Sequence, residues 1–233
     1  MTASTDSVVN GMPVVAVAAG ESLNRSIVIG KEEPKDCFLH VVMAEDSHLD
    51  LSVIVLPGAS SRVNLQVDME GPGAEAYISG IYLCPGDERV SIRTDVNHKV
   101  HHCVSRQLFK GIAGGTAKTD FYGKIVVAQD AQKTEAYQEN HNLLISDAAR
   151  MDTRPQLEIY ADDVKCSHGA TVGRLNEEEQ FYMRSRGIPE REAMVLQMLS
   201  FISPVISHIP DLQTRENVSA IAETAIRNIG MSE

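Results

Sequence analysis

Cys166 and His168 stand two residues apart in the stretch DDVKCSHGATVG, residues 162–173. Thiolate and imidazole are donors that metal centres use, so this pair could bind a metal. On an extended strand the two side chains point to the same side, with their Cα atoms about 7 Å apart. That spacing suits two ligands on one face better than a nucleophile and its base. The alternative is a strand end with a buried cysteine and a hydrogen-bonded histidine.

A second group of potential ligands lies in NHKVHHC, residues 97–103. On an extended strand His101 and Cys103 would point to one face and His98 and His102 to the other, so at most two would share a metal. A metal site here would need a further ligand from elsewhere in the chain. The alternative is a set of ordinary histidines on a sheet face.

A glycine-rich segment, KGIAGGTAKTD at residues 110–120, resembles a phosphate-binding loop only superficially. Such a loop has two glycines five positions apart, followed at once by lysine and then serine or threonine. Position 116 is threonine where the second glycine should be. The segment is therefore interpreted as a flexible turn.

The overall composition limits the classes of partner. The 233 residues carry a formal net charge of -11, with 43% hydrophobic and 23% charged residues, which is typical of a folded globular protein. The negative charge disfavours nucleic acid and anionic membranes. The sequence shows no basic leader and no run of about 18 apolar residues. We therefore expect a cytoplasmic protein without a nucleic-acid or membrane partner.

The cysteines limit the kind of metal site. The four of them, at positions 37, 84, 103 and 166, include no C-x-x-C pair. In a cytoplasmic chain of this length they predict neither a disulfide framework nor a zinc ribbon. Any metal site must be built from single residues that meet in space.

Residues from about 36 to 170 alternate between apolar and polar positions, which is typical of half-buried strands. Turn signals separate the segments and leave no room for a helix, so the region is predicted to be all-β. Shifting the sequence by 43 positions aligns Gly80 with Gly123, and Asn97-His98 with Asn140-His141. This weak self-similarity favours a β-solenoid over a sandwich. The apolar positions that define three segments are Leu49, Leu51, Val53 and Val55; Val63, Leu65 and Val67; and Val90, Ile92 and Val96.

After Gly173 the apolar period becomes helical. Asn176 and Glu179 have the form of a capping box, and the helix that they begin is predicted to end at Gly187. This change of period predicts a β-helix core domain over residues 1–173.

The rest of the chain, residues 174–233, is predicted to be a C-terminal helical region. Its second helix follows Pro189 and is predicted to stop at Pro204. Its third helix runs from about 211 to 229, with Gly230 at its end. The predicted fold class is an all-β body with C-terminal helices, and the first 35 residues are assigned one or two opening strands.

One long segment resembles a known family. KTEAYQENHNLLISDAARMDTRPQLEIYADDVKCSHGATVGRLNEEEQFYMRSRGIPEREA, residues 133–193, is similar to the C-terminal signature of the SufB/SufD family of iron-sulfur cluster assembly proteins. The resemblance extends less strictly through SRQLFKGIAGGTAKTDFYGKIVVAQDAQ, residues 105–132. It implies a right-handed parallel β-helix followed by C-terminal helices, which agrees with the predicted solenoid and helical tail.

The resemblance also implies a scaffold rather than an enzyme. In the family, two subunits pair through their β-helices, and a nascent iron-sulfur cluster is built near the subunit interface. The stretch KCSHGATVG is similar to the SufD side of the family. The histidine implicated at the interface falls on His168, and Cys166 matches the cysteine two residues before it. Both are therefore expected to contribute to a transient cluster or metal site.

A SufC-type ATPase docks on the C-terminal helical region of family members. Residues 176 to about 202 are the expected docking segment, because the helix faces there carry both apolar and charged side chains. The alternative for the apolar residues is packing on the β-helix. The candidate partner-binding residues are Phe181, Tyr182, Arg184, Arg186, Glu190 and Arg191.

Two positions depart from the SufB pattern. The SufB-type cysteine thought to hold the cluster aligns near Asn140, and the SufB-type glutamate after the histidine aligns with Gly169. A cluster site complete within this chain is therefore not expected. The missing ligands would come from a SufB-type chain, or from a second copy of this chain with two copies of His168 near the axis.

Two other functions remain open from the sequence. The chain could be a metal-dependent enzyme on a β-solenoid or cupin-like body that uses His98, His101 and Cys103. It could also be a purely structural dimerisation module. The scaffold hypothesis is preferred because the resemblance over residues 133–193 is long and dense.

Overall fold

Parallel strands form most of the chain, and helices follow them. The structure is a computed structural model that describes residues 6–9, 12–32 and 36–229. Its strands are β1 (Asp6–Val9), β2 (Met12–Val17), β3 (Ser22–Ile29), β4 (Asp36–Met43), β5 (His48–Val55), β6 (Ser61–Met69), β7 (Glu75–Cys84), β8 (Arg89–His98), β9 (Val104–Ala113), β10 (Lys118–Val127), β11 (Glu135–Leu144), β12 (Arg150–Ile159) and β13 (Lys165–Gly173). Its helices are α1 (Glu177–Ser185), α2 (Glu190–His208) and α3 (Leu212–Asn228).

Two sheets wind the strands into a β-solenoid of about five turns. The first sheet has the order β1-β2-β4-β6-β8-β10-β12, and the second has the order β13-β11-β9-β7-β5-β3. From β2 onward, the chain thus alternates between the sheets with each strand. The pairs are parallel except for β1 with β2, which is antiparallel. The predicted all-β body, solenoid and helical tail are confirmed.

Each coil of the solenoid has, at one of its corners, a tight turn between strands with the same backbone conformation. Gly20, Asp46, Gly73, His102 and Lys133 all have a positive φ, between 51° and 73°. This left-handed region costs glycine little, and aspartate and histidine adopt it more readily than most residues do. Backbone hydrogen bonds tie the turns together, such as His102 N to Gln132 O at 2.9 Å. The turns therefore stack into a ladder along one edge of the solenoid.

The coil length differs from the predicted repeat. In-register partners on neighbouring strands of one sheet, such as Leu51 and Ile78 or Gln107 and Gln138, lie 27 and 31 residues apart. The shift of 43 residues is wrong as a repeat, because it aligns Gly80 on β7 of the second sheet with Gly123 on β10 of the first. That shift spans roughly one and a half coils. The shift of 43 residues led to the correct β-solenoid fold, although the residues that it aligned are not equivalent positions of successive coils.

Helix α2 covers the outer face of the second sheet. Its apolar side packs on outward-facing residues of β5, β7 and β9, and α3 packs against α2 in the same apolar layer. Among the described residues, no helix combines the length and the apolar character that crossing a bilayer requires. The buried members of this layer are Ile54, Ile81, Leu83, Ile112, Val195, Met198, Ile202, Val205, Ile209, Val218, Ala222 and Ile226.

The helix boundaries agree with the sequence except at Pro204. The Asn176 side chain accepts hydrogen bonds from Glu178 N and Glu179 N at 2.9 and 3.2 Å, as a helix cap does. The predicted stop at Pro204 is wrong, because α2 continues to His208. Pro204 is exposed, so water can reach the carbonyl that it leaves unpaired, and burial of neighbouring apolar side chains holds the helix together. Gly230, the predicted end of the third helix, lies outside the described residues.

Candidate functional site

The last strand, β13, carries both Cys166 and His168. It ends the order of the second sheet and, within the described residues, pairs only with β11. Cys166 is in register with buried Ala136, and His168 with buried Gln138. Register partners on parallel strands point to the same side, so both side chains point toward the solenoid interior. β12 ends the first sheet in the same way, and β12 and β13 together form an open rim.

The two side chains differ in their exposure at this rim. Cys166 is half-buried and packs against the interior core, whereas His168 is exposed. Both lie on one side of a strand, as the residue spacing predicts. Whether they act as ligands stays a prediction, because the geometry offers two donors and not a complete shell.

The thiol of Cys166 is in the protonated form at neutral pH. Burial raises the pKa of this thiol, and a hydrogen bond with the Ala136 backbone opposes the increase only in part. Thiolate is the form that binds metals and attacks electrophiles. A metal or sulfur species would therefore have to displace the proton, which couples binding to pH.

Asn140, where the SufB-type cysteine aligns, belongs to a hydrogen-bonded cluster inside the solenoid. Its Nδ2 donates to the Tyr82 hydroxyl at 3.0 Å, and Asn142 Nδ2 donates to Asn140 Oδ1 at 2.7 Å. The Tyr82 hydroxyl in turn donates to Asn142 Oδ1. Gly111 makes room, since a Cβ there would lie 2.1 Å from the Tyr82 ring. Asn140 therefore has a structural role inside the solenoid. The sequence does not predict its hydrogen bond with Tyr82, because the two residues are 58 positions apart.

Gly169, where the SufB-type glutamate aligns, lies on the other face of β13. Strand alternation puts its position on the side opposite His168. A Cβ at Gly169 would meet no atom within 4 Å. A side chain at this position would thus project outward, away from the inward row that holds Cys166 and His168.

Only the first two residues of NHKVHHC, Asn97 and His98, belong to a strand, so the expectation of one extended strand through the whole stretch is wrong. β8 ends at His98, and His102 takes the left-handed position of the turn ladder. Buried His98 contacts Ser105 Oγ through Nε2 at 2.8 Å, and burial lowers its pKa to about 4. Cys103 is buried and donates to Gly71 O at 3.4 Å, while His101 is exposed.

The structure thus does not gather the ligands of the proposed metal-dependent enzyme. His98 and Cys103 are inside the solenoid, and His101 is in a surface turn. In the part of the chain that the structure describes, no three histidine, cysteine, aspartate or glutamate side chains are placed to hold a metal together. No observation favours this alternative over the rim.

Helix α1 presents the candidate partner-binding residues. None of its own residues is buried, and Phe181 and Tyr182 are 72% and 59% exposed. Polar contacts attach it to α2, including the bond that Gln197 Nε2 donates to Glu179 Oε2 at 2.9 Å. Arg186 lies over the Tyr182 ring at 5.1 Å. An open groove of about 980 Å³ separates α1 from α2.

The charged candidates around α1 are also at the surface. Arg184 and Glu190 form an exposed ion pair at 3.6 Å that links α1 to the start of α2. Arg191 donates instead to the carbonyl of Arg227 near the end of α3. Five of the six candidate partner-binding residues therefore lie in α1 or next to it. The sixth, Arg191, lies where α2 contacts α3.

The amino-acid sequence matches a known family over most of this architecture. Residues 35–201 match the model described as SUF system FeS cluster assembly, SufBD core domain. The match includes β4 to β13, α1 and most of α2. The chain belongs to the SufBD family. The resemblance seen over residues 133–193 is thereby confirmed.

Individual SufBD relatives support the assignment. Iron-sulfur cluster assembly protein SufD of Escherichia coli is 39% identical over 180 residues, which is 77% of this chain and 43% of that protein. A SufBD family protein of Mycobacterium leprae is 32% identical over 192 residues, which is 79% of this chain and 49% of that protein. A chloroplastic protein of Arabidopsis thaliana is 32% identical over 172 residues, with shares of 73% and 36%.

The chain spans less than half the length of each of these SufBD relatives. Its match to SufD by name agrees with the SufD-like stretch KCSHGATVG at the rim. Because one relative is chloroplastic by name, a cytoplasmic location stays a prediction.

The raised pKa predicts slow alkylation of Cys166 at neutral pH. We expect iodoacetamide to label it more slowly than a small free thiol at pH 7, with the rate rising about tenfold per pH unit until the pKa is reached. Mass spectrometry of the labelled peptide measures this rate. Cys166→Ser identifies the signal, and fast labelling of Cys166 at pH 7 would contradict the protonated state.

Proposed function

We propose that the chain is a scaffold subunit of SUF-type iron-sulfur cluster assembly. In this proposal it pairs through its rim with a second SufBD-family subunit, of SufB type or another copy of itself, and a nascent cluster is held at the seam. The observation that carries the proposal is an unpaired last coil with two metal donors on its inward side. The family description supports the assembly role.

The backbone at the rim supports pairing. Lys165 N donates to Thr134 O at 2.9 Å, so the N–H groups that alternate with it, including those of His168 and Ala170, point away from β11. Such unpaired edge groups readily accept another strand. Exposed apolar side chains accompany the edge, with Ile159 on β12 and Val172 on β13 about 40% exposed. A second rim would cover both.

The chemistry of the rim suits a shared site. Iron-sulfur clusters commonly take four protein ligands, mostly thiolates with some imidazoles. One rim offers Cys166 and His168, so a facing subunit would have to complete the shell. Splitting the ligands between two chains would let the cluster leave when the seam opens, which a scaffold needs to do with its cargo.

We assign no catalytic step to this chain. ATP hydrolysis belongs, in this proposal, to a SufC-type ATPase that docks on α1 and the neighbouring groove. Exposed aromatic side chains are typical anchors of protein interfaces, and α1 provides two: Tyr182, which lines the groove, and Phe181. The rim and α1 are distinct surfaces, so one partner need not exclude the other.

Ala170→Pro tests pairing at the rim. Proline removes an N–H that points away from β11, so the ladder with β11 is kept while the free edge is blocked. We expect the chain to fold and to lose pairing with itself or with a SufB-type chain, with affinity reduced at least about tenfold. Analytical ultracentrifugation measures association.

Ala170→Ser is the matched control, since it keeps the backbone N–H and should pair normally. Undiminished pairing of a folded Ala170→Pro variant would exclude the β13 edge as the interface. A cluster site shared between Cys166 and His168 of one chain and ligands of a second chain would then also be unsupported, because it requires the two rims to meet.

Phe181→Ala combined with Tyr182→Ala tests the ATPase contact. Loss of two exposed aromatic anchors should weaken binding of a SufC-type ATPase by about 30-fold or more, with little effect on stability. Calorimetric titration measures the affinity. Leu212→Ala, on the exposed start of α3, removes a comparable apolar side chain elsewhere and should bind normally. Equal binding by all three proteins would remove α1 from the interface.

A further inference from the structure

The solenoid interior becomes polar toward the rim. The inward row of the second sheet that ends at His168 begins with Arg25, which is exposed at the other end of the solenoid. It continues through Leu51, Ile78, Gln107 and Gln138, each in register with the next. Two apolar residues are thus followed by two amides and an imidazole. Interior positions of a stacked solenoid normally favour apolar side chains, so the two glutamines are unexpected as packing residues.

The glutamine amides are buried and lack protein partners. Gln138 is 1% exposed and Gln107 is 2% exposed. Among the described residues, no group hydrogen-bonds to the side-chain nitrogen or oxygen of either one. Buried amides in proteins are nearly always hydrogen-bonded, to ordered water where no protein group is available. The two amides therefore point to ordered water in this part of the interior.

The opposite sheet leaves room for these groups. A Cβ at Gly123 would lie 2.3 Å from Gln138 Nε2, so the Gln138 side chain crosses the interior into the space that glycine leaves. Thr94, the register partner of Gly123, has a buried hydroxyl oxygen that is also without a protein hydrogen bond in the described part of the chain. Residues from both sheets thus present unpaired polar atoms to one region.

We propose that Gln138 is a positioning residue for His168, acting through an ordered water molecule between its amide and the imidazole. In-register residues on neighbouring strands are about 4.8 Å apart, which allows one water molecule to connect the amide to the imidazole above it. Such a hydrogen bond sets which ring nitrogen carries the proton and leaves the other as the donor to a metal.

The importance of this orientation rests on the proposed function, in which His168 is a ligand. The positioning itself does not, because it concerns only groups within this chain. The two statements therefore need separate measurements on the full chain.

Gln138→Met tests the positioning. Methionine keeps the length of the side chain and removes its hydrogen bonds, so water can no longer link it to His168. At a pH about two units above the usual histidine pKa of about 6.5, nitrogen NMR shifts report which ring nitrogen is protonated. We expect one dominant form in the unchanged protein and a shift toward a mixture in Gln138→Met.

Gln107→Met is the matched control, because it makes the same replacement one coil further from His168 and should change the ratio less. Identical histidine spectra in the unchanged protein and in folded Gln138→Met would overturn the proposal. A high-resolution crystal structure gives a second test if that variant does not fold. Water between the Gln138 amide and the His168 ring supports positioning, and an amide bonded only to protein excludes it.

Anaerobic titration with Fe²⁺ then tests the ligand role separately. Loss of a group that orients a ligand typically weakens metal binding by about 10- to 100-fold, so Gln138→Met should bind Fe²⁺ at least about tenfold more weakly. If the tautomer shifts but the unchanged, paired protein binds no Fe²⁺ through His168, the proposed function fails and the positioning stands. If Fe²⁺ binds through His168 and the tautomer does not change, the positioning fails alone.

Discussion

Parallel backbone pairing from coil to coil is the interaction on which the rest of the structure depends. Each strand from β4 to β11 lies between two neighbours of the same sheet, and its N–H and C=O groups are paired on both sides. In the described residues the second sheet ends at β3 on one side, and on the other side the two sheets end at β12 and β13. The same interaction that stabilises the interior coils therefore leaves a set of unpaired groups at the end that β12 and β13 form. That end is where Cys166 and His168 face inward.

The helices leave this end open. α2 and α3 cover outward-facing apolar residues of β5, β7 and β9, which lie in the middle of the second sheet. α1 is attached beside them through polar contacts and keeps its aromatic side chains exposed. The fold thus leaves both the rim and the aromatic side chains of α1 exposed. Within the solenoid, the inward row changes from apolar Leu51 and Ile78 to polar Gln107 and Gln138. The polar part of the interior therefore lies next to the rim.

Much of this could be predicted from the sequence, because alternation and capping are local. Alternation identified inward residues such as Leu49 and Val63, and the cap at Asn176 marked the start of α1. The errors arise where distant coils decide the outcome. His102 is in a turn because turns of neighbouring coils stack on it, and α2 passes through Pro204 because burial on the second sheet outweighs one lost hydrogen bond. The Tyr82 contacts with Asn140 depend on register over several coils, which composition does not reveal.

Hydrogen-deuterium exchange at β13 measures whether its free edge is the surface that pairs with a second subunit. In the unpaired chain, the amides of residues 166, 168, 170 and 172 should exchange quickly, while those of the alternating residues bonded to β11 are protected. On pairing with a SufB-type chain or a second copy, the first group should become protected. Protection at β13 that does not change on pairing, with new protection on another surface, would contradict the account.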